Sequence, residues 1–155
     1  MRILVKARSF FEARMGTPRE ADLLAKHRII SINNVTFPVE PPPFSPCFLT
    51  SPHLLALFFD DVDGGEHAMT TDDARRIVDF IHVGEAPIIV HCAAGISRSG
   101  AVGSVLNWYF NRFLEGNDAD YWEFEFRHPD LIPNAHVRKL LLDELRSRHE
   151  EGNSK

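Results

Sequence analysis

The sequence contains little cysteine, no long apolar run and no cluster of basic residues, and each of these shortages excludes a class of protein. Only Cys47 and Cys92 occur among the 155 residues, and two cysteines far apart in the chain do not indicate a disulfide framework. No apolar run approaches the length of a membrane-spanning helix, and the strand-like start Met1 to Val5 is too short for a signal peptide. We therefore expect a cytoplasmic protein.

Basic residues are fewer than acidic ones, with 17 lysines and arginines against 22 aspartates and glutamates and a net charge of −5. Nucleic acids and anionic membranes bind basic surfaces, so neither is expected as a partner. The eight histidines show no metal-ligand spacing, and we expect no metal or other cofactor. A content of 44% hydrophobic and 25% charged residues is that of an ordinary globular protein with one core.

The order of the predicted elements alternates between strand and helix, which indicates an α/β fold with a mostly parallel central sheet flanked by helices. No repeat or linker divides the chain, so we expect one domain over residues 1–149 and a frayed tail over 150–155. The predicted strands are Ile3-Leu4-Val5, Arg28 to Asn33, His53 to Phe59 and Pro87 to Val90, and the predicted helices begin near Thr17, Thr70, Arg98 and Asn134.

Local signals make several of these predictions specific. Thr17 to Glu20 has the pattern of a capping box with proline at the first helical position. His53 to Phe59 is almost continuously apolar, which favours a strand buried on both faces. The prolines between Pro38 and Pro46 indicate an irregular loop, and Cys47 beyond them is expected to be a small buried residue. Asn117 to His128 alternates acidic and aromatic residues, which leaves strand and loop both open.

The segment from His91 to Ser99 carries the clearest chemical signal. It lies between the last predicted strand and a helix, and it reads His-Cys, five residues, then Arg-Ser. Backbone N–H groups at a helix N-terminus can converge on an anion, since the helix dipole also favours negative charge there. The same position lowers the pKa of a thiol. Cys92 is therefore expected to be a nucleophilic thiolate, with Arg98 as a planar fork for two phosphoryl oxygens.

This segment resembles the signature loop of the cysteine-dependent protein tyrosine and dual-specificity phosphatases, and the small size is similar to compact bacterial or phage members. The resemblance implies a dual-specificity phosphatase-like fold with Cys92 and Arg98 as catalytic residues. It also implies that His91 orients the loop and favours the thiolate, and that Ser99 donates a hydrogen bond to the sulfur. The amides expected to bind the substrate phosphate belong to Ala93, Ala94, Gly95, Ile96, Ser97 and Arg98.

A phosphatase of this kind also needs a proton donor for the departing oxygen. Three aspartates follow the third predicted strand, in Phe58-Phe59-Asp60-Asp61-Val62-Asp63-Gly64-Gly65. This stretch resembles the general-acid loop of dual-specificity phosphatases, and aligning its Phe-x-Asp pattern assigns the acid to Asp61. Asp60 and Asp63 remain alternatives, as does a purely solvated turn.

The resemblance implies a protein phosphatase that hydrolyses phosphotyrosine, and also phosphoserine or phosphothreonine, through a cysteinyl-phosphate. The signature loop carries no lysine, which does not favour inositol lipids as substrates. Two alternatives stay open: a catalytically weak module that binds phosphoproteins, and a phosphatase that acts on a non-protein phosphoester. For a rhodanese- or arsenate-reductase-type enzyme we would expect neither the acid loop nor a histidine before the cysteine, and this sequence has both.

Overall fold

Four parallel strands form the central sheet of the computed structural model, which describes residues 1–36 and 38–153, without the side chain of Asn153. Along the sheet the strand order is β1-β4-β2-β3, which confirms the predicted α/β class. All four carboxyl ends meet at one edge of the sheet, because the strands are parallel. The strands are β1 (Ile3–Ala7), β2 (Arg28–Asn33), β3 (Leu54–Phe58) and β4 (Ile88–Cys92).

Helices cover both faces of this sheet. They are α1 (Arg8–Glu12), α2 (Pro18–Lys26), α3 (Thr71–Ile81), α4 (Arg98–Trp108), α5 (Asp118–Arg127) and α6 (Ala135–Asn153). A short 3-10 turn spans Pro46–Phe48, and a π-helical segment, Tyr109–Leu114, continues α4. α6 includes residues 150–153 of the expected tail, while residues 154 and 155 lie outside the described part of the chain.

The core is split by the sheet into two hydrophobic clusters. The larger cluster contains Ile88, Val90 and Cys92 of β4, packed against residues of α3, α4 and α6. The smaller cluster contains Ile89 of the same strand, together with residues of α1 and α2. Successive side chains of a strand point to opposite faces. His91 therefore points toward the smaller cluster, away from the thiol of Cys92.

The helix α3 follows its sequence prediction closely. Thr70 caps it through a reciprocal capping box with Asp73, which satisfies two free N–H groups of the first turn. One face of the helix is buried against the sheet, and it consists of the four predicted residues, Ala74, Ile77, Val78 and Ile81.

Four local predictions are wrong, and each has a physical reason. Thr17 precedes α2 but forms no side-chain cap, since Glu20 instead accepts hydrogen bonds from Gly16 and Ser45. Strand β3 lies at the edge of the sheet, so Phe58 is 50% exposed. Cys47 is exposed, because the turn that carries it packs Phe48, and not Cys47, against the smaller cluster.

The fourth concerns Asn117 to His128, which is neither strand nor loop but the helix α5. The Asn117 side chain accepts a hydrogen bond from the N–H of Asp120, and acidic residues in the first turn favour the helix dipole. The alternation of aromatic and acidic residues therefore does not reflect a strand with one buried face. Phe124 alone of this helix is buried among the described residues.

Within residues 1–36 and 38–153, none of the helices is both long and apolar enough to cross a lipid bilayer.

Candidate active site

The signature segment forms a tight loop between the carboxyl end of β4 and the first turn of α4. Gly95 at its centre has φ +72°, and a Cβ there would lie 2.7 Å from backbone atoms of Lys6 and Ala7. Glycine is therefore required both by the left-handed conformation and by the close approach of β1. The loop is fixed further by the N–H of Arg8, which donates to the carbonyl of Ala93 at 3.2 Å.

Backbone N–H groups of this loop form a set of free donors. Among the described residues, no protein group accepts a hydrogen bond from the N–H of Ala93, Ala94, Ile96 or Ser97. Unpaired N–H groups at the start of a helix favour a bound anion, and the dipole of α4 adds to the attraction. The loop thus has the donor pattern of an oxyanion cradle.

Cys92 lies at the base of this cradle and is buried, with 2% of its surface exposed. Its sulfur lies 3.0 Å from the hydroxyl oxygen of Ser99. Burial alone would raise the pKa of the thiol, but hydrogen bonds from the Ser99 hydroxyl and from the N–H groups of Ser99 and Gly95, with the charge of Arg98, hold it below its ordinary value. The site therefore favours a thiolate.

Arg98 is buried beside this thiol without a counter-charge. Its Nη1 donates to the carbonyl of Phe59 at 2.7 Å, while its Nε is buried and has no hydrogen-bond partner in the described part of the chain. No carboxylate of that part forms a salt bridge with it. A buried guanidinium that lacks both a carboxylate and a partner for Nε is a site for an external anion.

Arg28 shows how a buried arginine is satisfied when it is purely structural. It is 3% exposed, as Arg98 is 4% exposed. Its Nε and Nη1 donate to the carbonyls of Ala86, Ile81 and Val83 at 2.7–3.1 Å. The contrast indicates that Arg98 is held in place for something other than packing.

His91 does not touch the thiol. Its Nε2 forms a 2.6 Å hydrogen bond with the hydroxyl of Ser31, and its ring packs against Phe11 and Phe44. Burial, with the nearby charges of Arg8 and Arg98, lowers the pKa of His91 to about 4, so the ring is neutral near pH 7. A neutral ring on the opposite face of the sheet cannot favour the thiolate by charge, although it can hold the end of β4.

The acid loop contacts the signature loop through Asp61. Its Oδ1 accepts hydrogen bonds from the hydroxyl of Ser97 and from Nδ2 of Asn134, each at 2.8 Å. Oδ2 has no partner among the described residues. One carboxyl oxygen is therefore fixed against the cradle, and the other is free to carry a proton.

The two neighbouring aspartates are placed differently. Asp60 accepts hydrogen bonds from the N–H groups of Val35 and Thr36 and from the Thr36 hydroxyl. Burial alone would raise the pKa of Asp60, but these bonds lower it, so it is an ionised anchor for the loop after β2. Asp63 is exposed and forms no hydrogen bond or salt bridge in the described chain. The geometry favours Asp61 over both.

Asn134 is a site residue that the sequence did not reveal as one. The sequence marks it as the cap of α6, and its Oδ1 does accept from the N–H of Val137 at 3.0 Å. Its Nδ2 also binds Asp61, and its N–H donates to the carbonyl of Ser97 at 3.0 Å. No local pattern signals a contact between residues 73 positions apart. Asn134 joins the acid loop, the signature loop and α6.

No family model matches the sequence, and no curated protein matches it either. The fold is nevertheless shared with solved structures. Human DUSP28 is 15% identical with a TM-score of 0.52, over 96% of this chain and 94% of that chain. Human tyrosine phosphatase-like serine/threonine/tyrosine-interacting protein is 18% identical with a TM-score of 0.55, over 94% and 92%.

A third similar structure is PTPMT1 in complex with PI(5)P, which is 15% identical with a TM-score of 0.53, over 96% of this chain and 94% of that chain. At identities this low, the likeness establishes the fold. The chain has the fold of the tyrosine and dual-specificity phosphatases along nearly its whole length.

Proposed function

We propose that the protein is a phosphatase that hydrolyses phosphotyrosine in proteins through a cysteinyl-phosphate. The observation that carries this proposal is Arg98, a buried guanidinium that has neither a partner for Nε nor a carboxylate partner among the described residues, with a thiol of lowered pKa beside it. A phosphoryl group supplies the charge and the acceptor oxygens that Arg98 and the loop amides lack in the described part of the chain.

In the first step, the Cys92 thiolate attacks phosphorus in line with the leaving oxygen. The S–P bond forms as the P–O bond breaks, and the proton of Asp61 moves to the leaving oxygen. Arg98 and the amides of residues 93–98 bind the equatorial oxygens and stabilise their charge in the transition state.

In the second step, a water molecule attacks the cysteinyl-phosphate. The ionised Asp61 takes a proton from this water as the new O–P bond forms and the S–P bond breaks. The Ser99 hydroxyl, 3.0 Å from the sulfur, stabilises the departing thiolate by a hydrogen bond. Inorganic phosphate leaves, and the proton of Asp61 is restored for the next cycle.

A protein substrate is favoured over an inositol lipid by the side chains at the mouth of the site. Ile96 of the cradle is 38% exposed and Val62 of the acid loop is 39% exposed, and the signature loop from Cys92 to Arg98 carries no lysine. An aromatic ring suits an apolar rim, whereas an inositol phosphate needs basic groups.

Phosphate release from p-nitrophenyl phosphate in the presence of EDTA tests the proposal. We expect turnover that EDTA does not reduce and that vanadate inhibits, because the positive charge comes from Arg98 and the amides. Phosphotyrosine peptides are then compared with phosphoserine peptides and a phosphoinositide. If vanadate binds while none of these substrates is hydrolysed, the protein is a phosphate-binding module instead.

Asp61→Asn is expected to slow hydrolysis of phosphotyrosine peptides by about two to four orders of magnitude, because asparagine cannot protonate the phenolate. Aryl phosphates with a strongly acidic leaving phenol need little protonation, so their loss is expected to be much smaller. Kinetics over a series of aryl phosphates measures both losses.

Asp60→Asn and Asp63→Asn serve as matched controls for this experiment. Each removes one carboxylate from the same loop, and neither side chain forms a hydrogen bond or salt bridge with the signature loop in the described chain. Both are expected to retain the leaving-group dependence of the wild-type protein. If Asp63→Asn shows the loss instead, the acid assignment is wrong while the mechanism stands.

Asn134→Ser is expected to reduce turnover of poor leaving groups about tenfold, because serine still caps α6 but cannot reach Asp61 with an amide. Activated aryl phosphates are expected to lose less, and the melting temperature to change little. Asn117→Ser, which alters the equivalent cap of α5, is the control. If the two variants changed kcat equally, Asn134 would act only as a helix cap and would not position Asp61.

A further inference from the structure

Aromatic side chains are exposed together on the face of the molecule formed by the end of α4, the π-helical segment and α5. Trp122 is 50% exposed and Phe126 is 82% exposed, and their rings lie 6.5 Å apart on one side of α5. Trp108 and Phe113 form a second exposed pair with ring centroids 5.2 Å apart. Exposed rings grouped on one face mark an interaction surface. We call Trp122 and Phe126 the aromatic ridge.

A groove lies next to this ridge and follows α6. Two adjoining cavities, of about 350 and 210 Å³, share Trp108 and Arg146 in their walls. The first is also lined by Tyr121 and Leu142, and so lies between α5 and α6. A third cavity continues past Leu142 and Arg138 toward Pro133. The surface therefore presents a convex apolar ridge and a concave, partly apolar groove side by side.

Three charged residues of this groove have no salt-bridge partner among the described residues. Arg138 and Arg146 are exposed, and neither forms a salt bridge with a described residue, whereas Lys139 and Arg148 of the same helix are paired with Asp143 and Asp79. Glu125 of α5 is exposed and lines the same cavity as both arginines. It too forms no salt bridge within residues 1–36 and 38–153.

From this arrangement we propose that the face is the interface of a twofold symmetric homodimer. The aromatic ridge of one chain lies in the α6 groove of the other, and Glu125 of each chain pairs with Arg138 and Arg146 of its partner. A twofold interface uses the same surface of both chains, so a complementary ridge and groove must lie beside each other on one molecule. The unpaired charges of both signs supply the matching electrostatics.

A second copy of the chain fits better than an acidic peptide. An acidic peptide would meet the carboxylate of Glu125 in the same cavity as the two arginines, and it would leave the ridge uncovered. A second copy pairs charges of both signs and buries Trp122 and Phe126 in the same contact. The ridge is also enriched in the aromatic residues that dominate protein interfaces.

Sedimentation equilibrium of the full chain across the micromolar range tests the proposal. We expect a reversible association to twice the 17.6 kDa chain mass. The double substitution Trp122→Ser and Phe126→Ser is expected to weaken it by more than about tenfold in dissociation constant. Val83→Ser, which removes an exposed apolar side chain elsewhere, is the control and keeps the wild-type constant. A chain that remains monomeric at every concentration overturns the proposal.

Charge reversal gives a test that a peptide-binding groove would fail. In a twofold dimer, Glu125→Arg places an arginine opposite Arg138 and Arg146 at both symmetric contacts. The double substitution Arg138→Glu and Arg146→Glu places two glutamates opposite Glu125 at both contacts. Each variant alone is expected to be monomeric. Mixed in equal amounts, the two variants are expected to form a heterodimer, because opposite charges then face each other at both contacts.

Arg19→Glu, at an exposed arginine of α2, is the control for the change in net charge and is expected to dimerise as the wild type does. All the substituted residues of the pair test are exposed, so circular dichroism should show the wild-type fold. Two variants that stay monomeric when mixed would contradict the pairing of Glu125 with the arginines. If the groove instead binds acidic peptides, the wild type stays monomeric and the Trp122→Ser/Phe126→Ser variant still binds an acidic peptide. That result would overturn the dimer.

Discussion

Cys92→Ser is expected to reduce turnover at least about a thousandfold, while vanadate still binds the protein. The serine hydroxyl does not ionise near neutral pH, although the hydrogen bonds from Ser99 and Gly95 that lower the pKa of the Cys92 thiol remain available to it. Arg98 and the free amides of the cradle are untouched, so the anion site persists. Turnover with an aryl phosphate and vanadate binding by calorimetry measure the two properties separately.

Cys47→Ser is the control for this substitution. It removes the other cysteine, which is exposed and lies in the turn Pro46–Phe48, and it is expected to retain wild-type kinetics. Residual activity of Cys92→Ser within tenfold of the wild type would contradict the covalent mechanism.

Arg98→Lys is expected to reduce kcat/KM by two orders of magnitude or more, a loss of about 3 kcal/mol in transition-state stabilisation. Lysine keeps the charge, but its ammonium cannot both donate to the carbonyl of Phe59 and present two parallel N–H groups to phosphoryl oxygens. Both kcat/KM and the affinity for vanadate are expected to fall, since the fork binds the ground state and the transition state.

Arg28→Lys is the matched control, because it changes the other arginine that is buried in the described part of the chain. Its guanidinium donates to the carbonyls that end α3 and enter β4, so the variant is expected to lose about 1–3 kcal/mol of stability. Its kcat is expected to stay near the wild-type value. If Arg98→Lys instead melted earlier with unchanged kinetics, Arg98 would be a structural arginine.

The part of the site that lies close together in sequence was predictable. Cys92, Gly95 and Arg98 belong to one loop, and the flanking strand and helix fix where its amides point. The position of Asp61 near this loop was predictable for a related reason, because parallel strands end at the same edge of the sheet. Both loops therefore lie at one edge of the sheet, and they meet because only β2 separates β3 from β4.

Contacts set by the tertiary fold were not predictable from local patterns. Asn134 reaches Asp61 only because α6 packs beside the signature loop. The exposure of Phe58 depends on β3 being an edge strand, and strand order has no local signature. The alternation of aromatic and acidic residues from Asn117 to His128 left strand and loop both open and did not indicate the helix α5, in which Trp122 and Phe126 are exposed.

His91 shows the limit of a resemblance. Its position before the cysteine implied an effect on the thiolate, yet alternation along β4 places its ring on the other face, against Phe11 and Phe44. With a pKa of about 4, it acts as a neutral group that links β4 to β2 through Ser31. The role that the geometry supports is the orientation of the loop.

The most direct test of the proposed mechanism is to look for phosphorus covalently bound to Cys92. The Asp61→Asn variant is mixed with an aryl phosphate that has a strongly acidic leaving phenol, quenched rapidly in acid and analysed by peptide mass spectrometry. We expect phosphate on the peptide that contains Cys92, because the first step proceeds without an acid and the second lacks its base. Steady hydrolysis with no phosphate on Cys92 at any quench time would contradict the cysteinyl-phosphate mechanism.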